Sequence, residues 1–406
     1  MRSKNTARLN TEALMIEALN ETAIKLNDIT QHEIIALRTR HNLASAHTRQ
    51  RQSRTQRQII QRLPHLWYEA EETTQPALEQ KFITKFFRLH RQETAIRLDR
   101  TKLFYAASIS MITVATLLAQ RRGAVSLMDP CLDNLRDILK NFHVPVLPLK
   151  EELFHDGDIY RNLENSITGD VVALVDPNNP TGFSLLKHGR EGFQELIRYC
   201  KEYKKILVLD FCFASFALMD PEIGRFDVYE MLEESGVSYL AIEDTGKTWP
   251  ILDAKCAMLT ASQDLYQQVY DIHSSILLNV SPFILNMLSA YIDDSELDGF
   301  ASVRDVMESN RNLARETLRG TVLEYMEPVV KVSVAWFKIK DRGLTATRLC
   351  QAAYNDDVYI LSGAYFLWSR RELGERYVRI ALAREPKQFR NAILQLRKTL
   401  DGFQSA

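Results

Sequence analysis

The chain predicts an α/β fold, a mostly parallel sheet with helices on both faces joined to a smaller α+β unit, and three stretches carry that prediction. In Tyr239–Thr260, YLAIEDTGKTWPILDAKCAMLT, Lys247 lies in a turn between two short apolar runs, Tyr239–Ile242 and Cys256–Thr260, as expected of strands covered on both faces. In Val171–Gly182, VVALVDPNNPTG, a buried-strand pattern breaks into a turn dense in Asn, Pro and Gly. In Ile206–Phe216, ILVLDFCFASF, a strand pattern ends on Asp210. An acid at the carboxyl end of an apolar strand is costly without a cationic partner, and ligands of open α/β sheets bind at that end. A partly desolvated lysine at the same edge can lose its proton near neutral pH and condense with an aldehyde. Gly246 lets the backbone approach closely and Pro250 stops a helix from forming at once. Alone, Lys247 reads more readily as a solvated loop lysine; the other two stretches shift that reading.

Taken in order, the chain supports this class. With 406 residues it exceeds what one core usually holds, so two domains or one large domain with a cap are expected. At 46% hydrophobic and 25% charged, with a formal net charge of −1, it shows no global bias toward nucleic acid or an acidic surface. The five cysteines, at 131, 200, 212, 256 and 350, are odd in number, scattered and without metal-ligand spacing, so reduced core thiols, no metal site and a reducing compartment are expected. The first ten residues lack the apolar core of a secretory signal, which predicts a cytoplasmic protein. Asn10 to about Asp28 predicts an amphipathic helix, capped by Asn10 with Leu14, Leu19, Ala23 and Leu26 near helical spacing, which serves as an arm on a partner subunit or on the small domain. Ile34–Tyr68 has no acidic residue but gathers Arg38, Arg40, Arg49, Arg51, Arg54, Arg57 and Arg62. A solvated or dimer-facing helical surface is expected there rather than a phosphate-binding one, because no aromatic residue interleaves before Trp67 and Tyr68.

Leu103–Ala119 is uncharged, but Ser108, Ser110, Thr113 and Thr116 interrupt it and it falls short of the ~20 apolar residues of a spanning helix. It predicts a buried helix and no membrane segment. Strand patterns at Ala124–Met128, Val144–Leu149, Val171–Val175, Ile206–Leu209 and Tyr239–Ile242 alternate with helices from about Leu132 and over Arg190–Tyr203. After a helix around Pro282–Ile292, an acidic break at Asp293–Asp298 precedes a long polar helix, and there the domain changes. Val329–Lys340 alternates as a half-buried strand, Asp341–Gly343 turns, Leu344–Tyr354 reads helical, and Val358–Leu361 and Tyr377–Ala381 supply two further strands. The expected division is a helical N-terminal arm with part of the small domain over residues 1–85, a large domain over 86–295 and a small α+β domain over 296–406.

The order Asn-Pro-Thr-Gly, then Asp210, then Lys247, then a cation at Lys255 resembles the fold-type I, aspartate-aminotransferase-like family of pyridoxal phosphate (PLP) enzymes over about residues 100–400. The resemblance implies a seven-stranded sheet in the large domain and a homodimer. Position by position it makes Lys247 the Schiff-base lysine, Asp210 the partner of the pyridine nitrogen and Asn179 the donor to the phenolic oxygen. Ser108, Ile109 and Ser110 fall on the phosphate-binding turn at a helix N-terminus, and Lys255 stands where most relatives carry a phosphate-binding arginine. Arg379, in RYVRIALAR, falls on the arginine that grips the substrate α-carboxylate, for which a guanidinium fork is suited. Phe213 and Leu132 replace a tyrosine and a stacking aromatic ring beside the cofactor, and Asp244 and Gly246 replace serines before the lysine.

HNLASAHTRQ (His41–Gln50), IEDTGKTWP and LDAKCAM are similar, more narrowly, to the PLP- and oxygen-dependent L-arginine oxidases and hydroxylases of enduracididine- and indolmycin-type pathways. In that group phenylalanine and lysine occupy the positions of Phe213 and Lys255, and Glu33 and His47 keep the spacing of its N-terminal glutamate and histidine. Ser45, Ala46 and Ala214 depart from it. The resemblance implies an enzyme of specialised metabolism that takes a free, cationic, arginine-like amino acid. Lys247 removes its α-proton, the electrons pass to dioxygen as co-substrate, and a hydroxylated, unsaturated or keto-acid product leaves. Glu33 and Asp244 are expected to hold the cationic side chain, and His47 to act on water or a peroxide once the electrons have moved. The alternatives are an ordinary aminotransferase or PLP-dependent cyclase on a similar amino acid, a non-catalytic PLP-fold binding module and, for His47, a surface histidine among arginines.

Overall fold

A computed structural model describes residues 26–166 and 168–404; nearly all of the helix expected over Asn10–Asp28 lies outside the described residues. Its strands, in chain order, are β1 (His41–Asn42), β2 (Thr101–Phe104), β3 (Val125–Asp129), β4 (Val146–Lys150), β5 (Val171–Val175), β6 (Ile206–Asp210), β7 (Tyr239–Asp244), β8 (Ala257–Ala261), β9 (Leu323–Met326), β10 (Val334–Ile339), β11 (Val358–Tyr359), β12 (Leu361–Ser362) and β13 (Tyr377–Ala381). β3, β5, β7 and β8 are buried along their whole length, which a continuous apolar run requires: both faces must be covered. β2 to β8 form one seven-stranded sheet in the order β2-β8-β7-β6-β5-β3-β4, in which only β8 runs against its neighbours. Helices cover it; the helix Ala107–Arg121 packs on β7 and β8, and Gly189–Glu202 packs on β6. A second, antiparallel sheet, β12-β13-β10-β9, packs its own core with Ala314, Leu349, Phe389 and Ile393 from the helices Ala301–Thr317, Ala346–Asn355 and Pro386–Gln404. β1 pairs in parallel with β11, which brings the chain around residues 41–50 to this second sheet.

Four local expectations are corrected. The uncharged run Leu103–Ala119 is not one helix. Its first residues finish β2, paired antiparallel with β8 at the sheet edge, and the helix starts at Ala107. The acidic stretch Asp293–Asp298 is no break either; the helix runs Pro282–Asp298, Lys85 of the packed helix Gln75–Leu89 pairs with Asp293, and Gly299 at φ +60 ends it in the left-handed conformation that glycine adopts without strain. Val329–Lys340 becomes a strand only at Val334, where every residue but Lys338 is buried, so it does not alternate. The arm is only partly helical: Ile29–Ala36 is a helix capped by Asp28, whose side chain accepts from the Gln31 amide at 2.8 Å, whereas residues 43–52 are irregular until Ser53 and Gln56 form a reciprocal capping box.

Candidate active site

Because β2 to β7 all run one way, the residues that follow them collect at a single edge of the sheet: the turn before Ala107, Asp129–Leu132, Asp176–Gly182, Asp210–Phe213 and Thr245–Lys247. Lys247 leaves β7 in a turn that is pinned on several sides. Thr245 exchanges two side-chain hydrogen bonds of 2.9 Å with the Cys256 backbone, the Thr248 hydroxyl donates to Ser215 Oγ at 2.9 Å, and the Thr48 hydroxyl donates to the Lys247 carbonyl at 2.9 Å. An immobilised backbone on both sides of a long, flexible side chain confines its amine to a small volume.

The last of those bonds comes from the N-terminal segment, and so does the group nearest the amine. His47 Nε2 is 3.3 Å from Lys247 Nζ and 3.5 Å from Lys255 Nζ, and His47 Nδ1 is 2.9 Å from Ser45 Oγ. Ammonium groups only donate, so Nε2 is the accepting nitrogen and Nδ1–H donates to the serine. The charge of Lys247, then burial, then the charge of Lys255 push the His47 pKa down to about 3, against a smaller upward pull from Asp253, and the imidazole is neutral at physiological pH. Asp253 Oδ1 accepts from Lys255 at 3.1 Å and lies 3.5 Å from His47 Nε2. The loop is held by Arg384, fully enclosed, which donates to the carbonyls of Asn42 (2.8 Å), Ser45 (2.5 Å) and His47 (2.9 Å) and whose pKa burial lowers to about 9. Arg384, Asp253 and Ser45 have roles that sequence reasoning missed. Arg384 closes the same RYVRIALAR run as Arg379, and Asp253 lies within ILDAKC, but neither motif records that its target is a loop more than two hundred residues away.

Two carboxylates feel the charge of the lysine. Asp210, at the end of β6, accepts the Cys212 amide at 2.9 Å, and Asp244, at the end of β7, has an Oδ1 with no partner. Burial raises both pKa values, and the positive charge of Lys247 pulls both back. Phe213 is buried against Phe216, with ring centroids 5.5 Å apart.

Arg379, on β13, is fully buried with its guanidinium carbon 4.8 Å from the Phe366 ring centre. Nη1 donates to Asn179 Oδ1 at 3.1 Å, Nη2 donates to Glu33 Oε1 at 3.3 Å and to the Ala44 carbonyl, and Nε has no partner. Burial lowers its pKa, and Glu33 offsets part of that. Accepting through Oδ1 leaves the Asn179 amide nitrogen free to donate. Glu33 and Asp244, expected to grip one side chain together, have different partners: Glu33 is on Arg379, and Asp244 is beside the lysine. Leu132 precedes the helix Asp133–Asn141 and packs into the cluster of Ile29, Ala36 and Phe366 under the N-terminal segment.

The helix Ala107–Arg121 begins at the same edge without a side-chain cap. The amides of Ile109 and Ser110 both donate to the Ala106 carbonyl, at 3.0 and 3.2 Å, so of the three residues expected to present amides only Ser108 keeps one free, together with Ala107. Ser110 Oγ is buried with no partner. This donor set fits PLP: free amides, two hydroxyls and the Lys255 ammonium for a phosphate, Asn179 Nδ2 for a phenolic oxygen, the Asp210 carboxylate for a ring nitrogen and the Lys247 amine for an aldehyde. Ser110 Oγ and Arg379 Nε are buried polar groups that cost ~1–3 kcal/mol each unless a ligand completes them.

Among the described residues no cluster of His, Cys, Asp and Glu suits a metal ion, no helix is long and apolar enough to cross a membrane, and all five cysteines are free.

The chain matches the family described as aminotransferase class I and II over residues 55–396. The structure of MppP soaked with the product 2-ketoarginine superposes with a TM-score of 0.82 at 31% identity, over 88% of this chain and 99% of that one. An aspartate aminotransferase from Thermus thermophilus with maleate gives 0.75 at 14% identity, over 93% and 98% of the two chains, and Bna3p from Saccharomyces cerevisiae gives 0.73 at 14% identity, over 94% and 98%. At that identity the last two speak to the fold alone. No curated protein matches the chain significantly.

Proposed function

We propose, for a chain that belongs to the class I and II aminotransferase family and is a PLP-dependent enzyme of that class, that it oxidises a free, cationic, arginine-like L-amino acid with dioxygen as electron acceptor. The amino acid loses two electrons and two protons to dioxygen, which becomes hydrogen peroxide; water then replaces the nitrogen and ammonia leaves with the 2-keto acid. A 2-keto acid that is also hydroxylated or unsaturated is two electrons more oxidised, which takes a second dioxygen to hydrogen peroxide, with water supplying the hydroxyl oxygen. The observation that carries the reading is His47, a neutral base 3.3 Å from Lys247 Nζ and supplied by the N-terminal segment, an addition that proton exchange at one carbon does not need. The 2-ketoarginine of MppP, the keto acid of arginine, points to the substrate class.

Bound PLP supplies an aldehyde that takes up amines and a ring that accepts the electron pair released at the α-carbon. Ser108, Ser110 and Lys255 would hold its phosphate, and Asn179, Asp210, Phe213 and Leu132 would surround the ring. Arg379 orients the substrate through its α-carboxylate, with Nε of its buried guanidinium unpartnered and the Nη2 on the same edge held by Glu33 and the Ala44 carbonyl. The Lys247 amine, confined by its pinned turn, takes the α-proton. Asp210, at the end of β6 near the lysine, would oppose positive charge on the ring nitrogen. His47 turns an unprotonated Nε2 toward the lysine, which takes a proton once the Lys247 charge that depresses its pKa is gone, and Thr48 fixes the segment that carries it to the lysine turn.

An oxygen electrode with the holoenzyme and a panel of amino acids tests the proposal. Oxygen uptake and hydrogen peroxide with arginine-like substrates are expected; turnover that depends on an added keto acid, with no oxygen uptake, would make the protein an ordinary aminotransferase.

A further inference from the structure

The Arg379 guanidinium already holds a carboxylate, and that carboxylate belongs to the chain. Glu33 Oε1 accepts from Nη2 at 3.3 Å, and the pair is enclosed: the arginine side chain is fully buried and that of Glu33 is 20% exposed. The backbone that carries Glu33 is fixed at two points. The Ile29 amide, at the start of the helix Ile29–Ala36, donates to Asp133 Oδ2 at 3.0 Å. His32, next to Glu33, is wedged between the hydroxyls of Tyr359 and Tyr365, at 2.7 and 2.6 Å from its two ring nitrogens. With the helix held at both points, Glu33 leaves Arg379 by turning its own side chain.

We infer that Glu33 is an internal stand-in for the substrate α-carboxylate, and that displacing it makes the site selective for amino acids with a cationic side chain. The inference deepens the proposed function and rests on its assignment of Arg379. Removing one partner of an enclosed ion pair leaves the other charge unpaired, which costs far more than the pair contributes to stability. A substrate with a neutral side chain takes Arg379 and strands the Glu33 carboxylate in a partly buried site. An arginine-like substrate takes Arg379 with one end and offers Glu33 a new cation with the other, so no charge is left alone. Partial exposure of Glu33 lets solvent screen some of the penalty, and the discrimination expected is roughly 10- to 100-fold in Kd.

The test measures Kd by calorimetry for L-arginine, L-norleucine and butyrate, with wild-type and Glu33→Gln holoenzymes whose visible cofactor absorbance shows them to be folded and loaded. The substitution should tighten norleucine and butyrate by about tenfold or more and weaken arginine, so that the preference between the two amino acids collapses. Glu33→Asp, which keeps the charge but draws it back from Arg379, should tighten butyrate in the same direction. If neither variant binds butyrate or norleucine more tightly than wild type, Glu33 is no stand-in and the inference is overturned, even where arginine binding alone suffers. Tightening in both variants, together with a wild type that has no preference for arginine, upholds the displacement but overturns the cationic substrate and the selectivity built on it.

Discussion

Replacing Asp133 by Asn should stabilise the protein at alkaline pH relative to wild type and lose that advantage in acid. Asp133 is buried; its Oδ2 accepts the Ile29 amide at 3.0 Å and its Oδ1 has no partner. Burial raises its pKa from 3.8 to about 7, with Asp137 and Asp28 adding to the rise and the Ile29 amide and Arg136 opposing it. A carboxyl group whose folded pKa exceeds its unfolded one is held protonated by the folded state between the two values. Its contribution to stability is therefore complete below the unfolded pKa and is lost as pH rises through the folded one. The loss amounts to about 1.4 kcal/mol per pH unit across that window, and at most about 4 kcal/mol in all. Asparagine cannot ionise, so the difference in unfolding free energy between Asp133→Asn and wild type should grow in favour of the variant with that slope and become flat above it. A constant offset of ~1–3 kcal/mol against the variant is expected, because its amide nitrogen takes the place of an unpartnered oxygen, so the slope is the diagnostic quantity. Urea unfolding of both proteins in steps from about pH 5 to about pH 8, at one cofactor concentration, gives it. A difference that does not vary with pH would mean that Asp133 is ionised throughout and that burial does not govern it.

His47→Ala should leave cofactor content and α-proton exchange near wild type while altering the ratio of hydroxylated or unsaturated product to simple keto acid by mass spectrometry; wild-type products at wild-type rates would leave His47 with no part in the chemistry. Arg379→Lys removes a fork that a single ammonium cannot replace and should raise KM by roughly 10- to 100-fold with cofactor absorbance unchanged, whereas an unchanged KM would move the carboxylate site elsewhere. Gly246→Ala places a methyl 2.7 Å from Lys255 Cδ and 3.0 Å from Asp244 Oδ2. The lysine must move aside, and PLP affinity in a visible titration should fall by about tenfold; undiminished affinity would take Lys255 out of the phosphate site.

What could be read directly from the sequence was whatever is written in contiguous residues. A continuous apolar run such as Val171–Val175 states that both faces are covered, and the polar residues that end it state where the sheet stops. Hence Asp210 and Lys247 read as strand-end residues, Asn179 is marked by the family resemblance, and a parallel sheet carries all three to one edge. Periodicity reports only which face of a segment is covered, never by what. For that reason the end of β2 merges into the uncharged run Leu103–Ala119 until β8, far along the chain, supplies its ladder, and Asp293 reads as a break until Lys85 of another helix pairs with it. The site divides in the same way. The family resemblance points to Glu33 and His47, but the Glu33–Arg379 pair, the contact of His47 with two lysines and the grip of Arg384 on the His47 loop join residues hundreds of positions apart. Charges pair through space rather than along the chain, so only the tertiary structure decided that Arg379 already has a carboxylate on it.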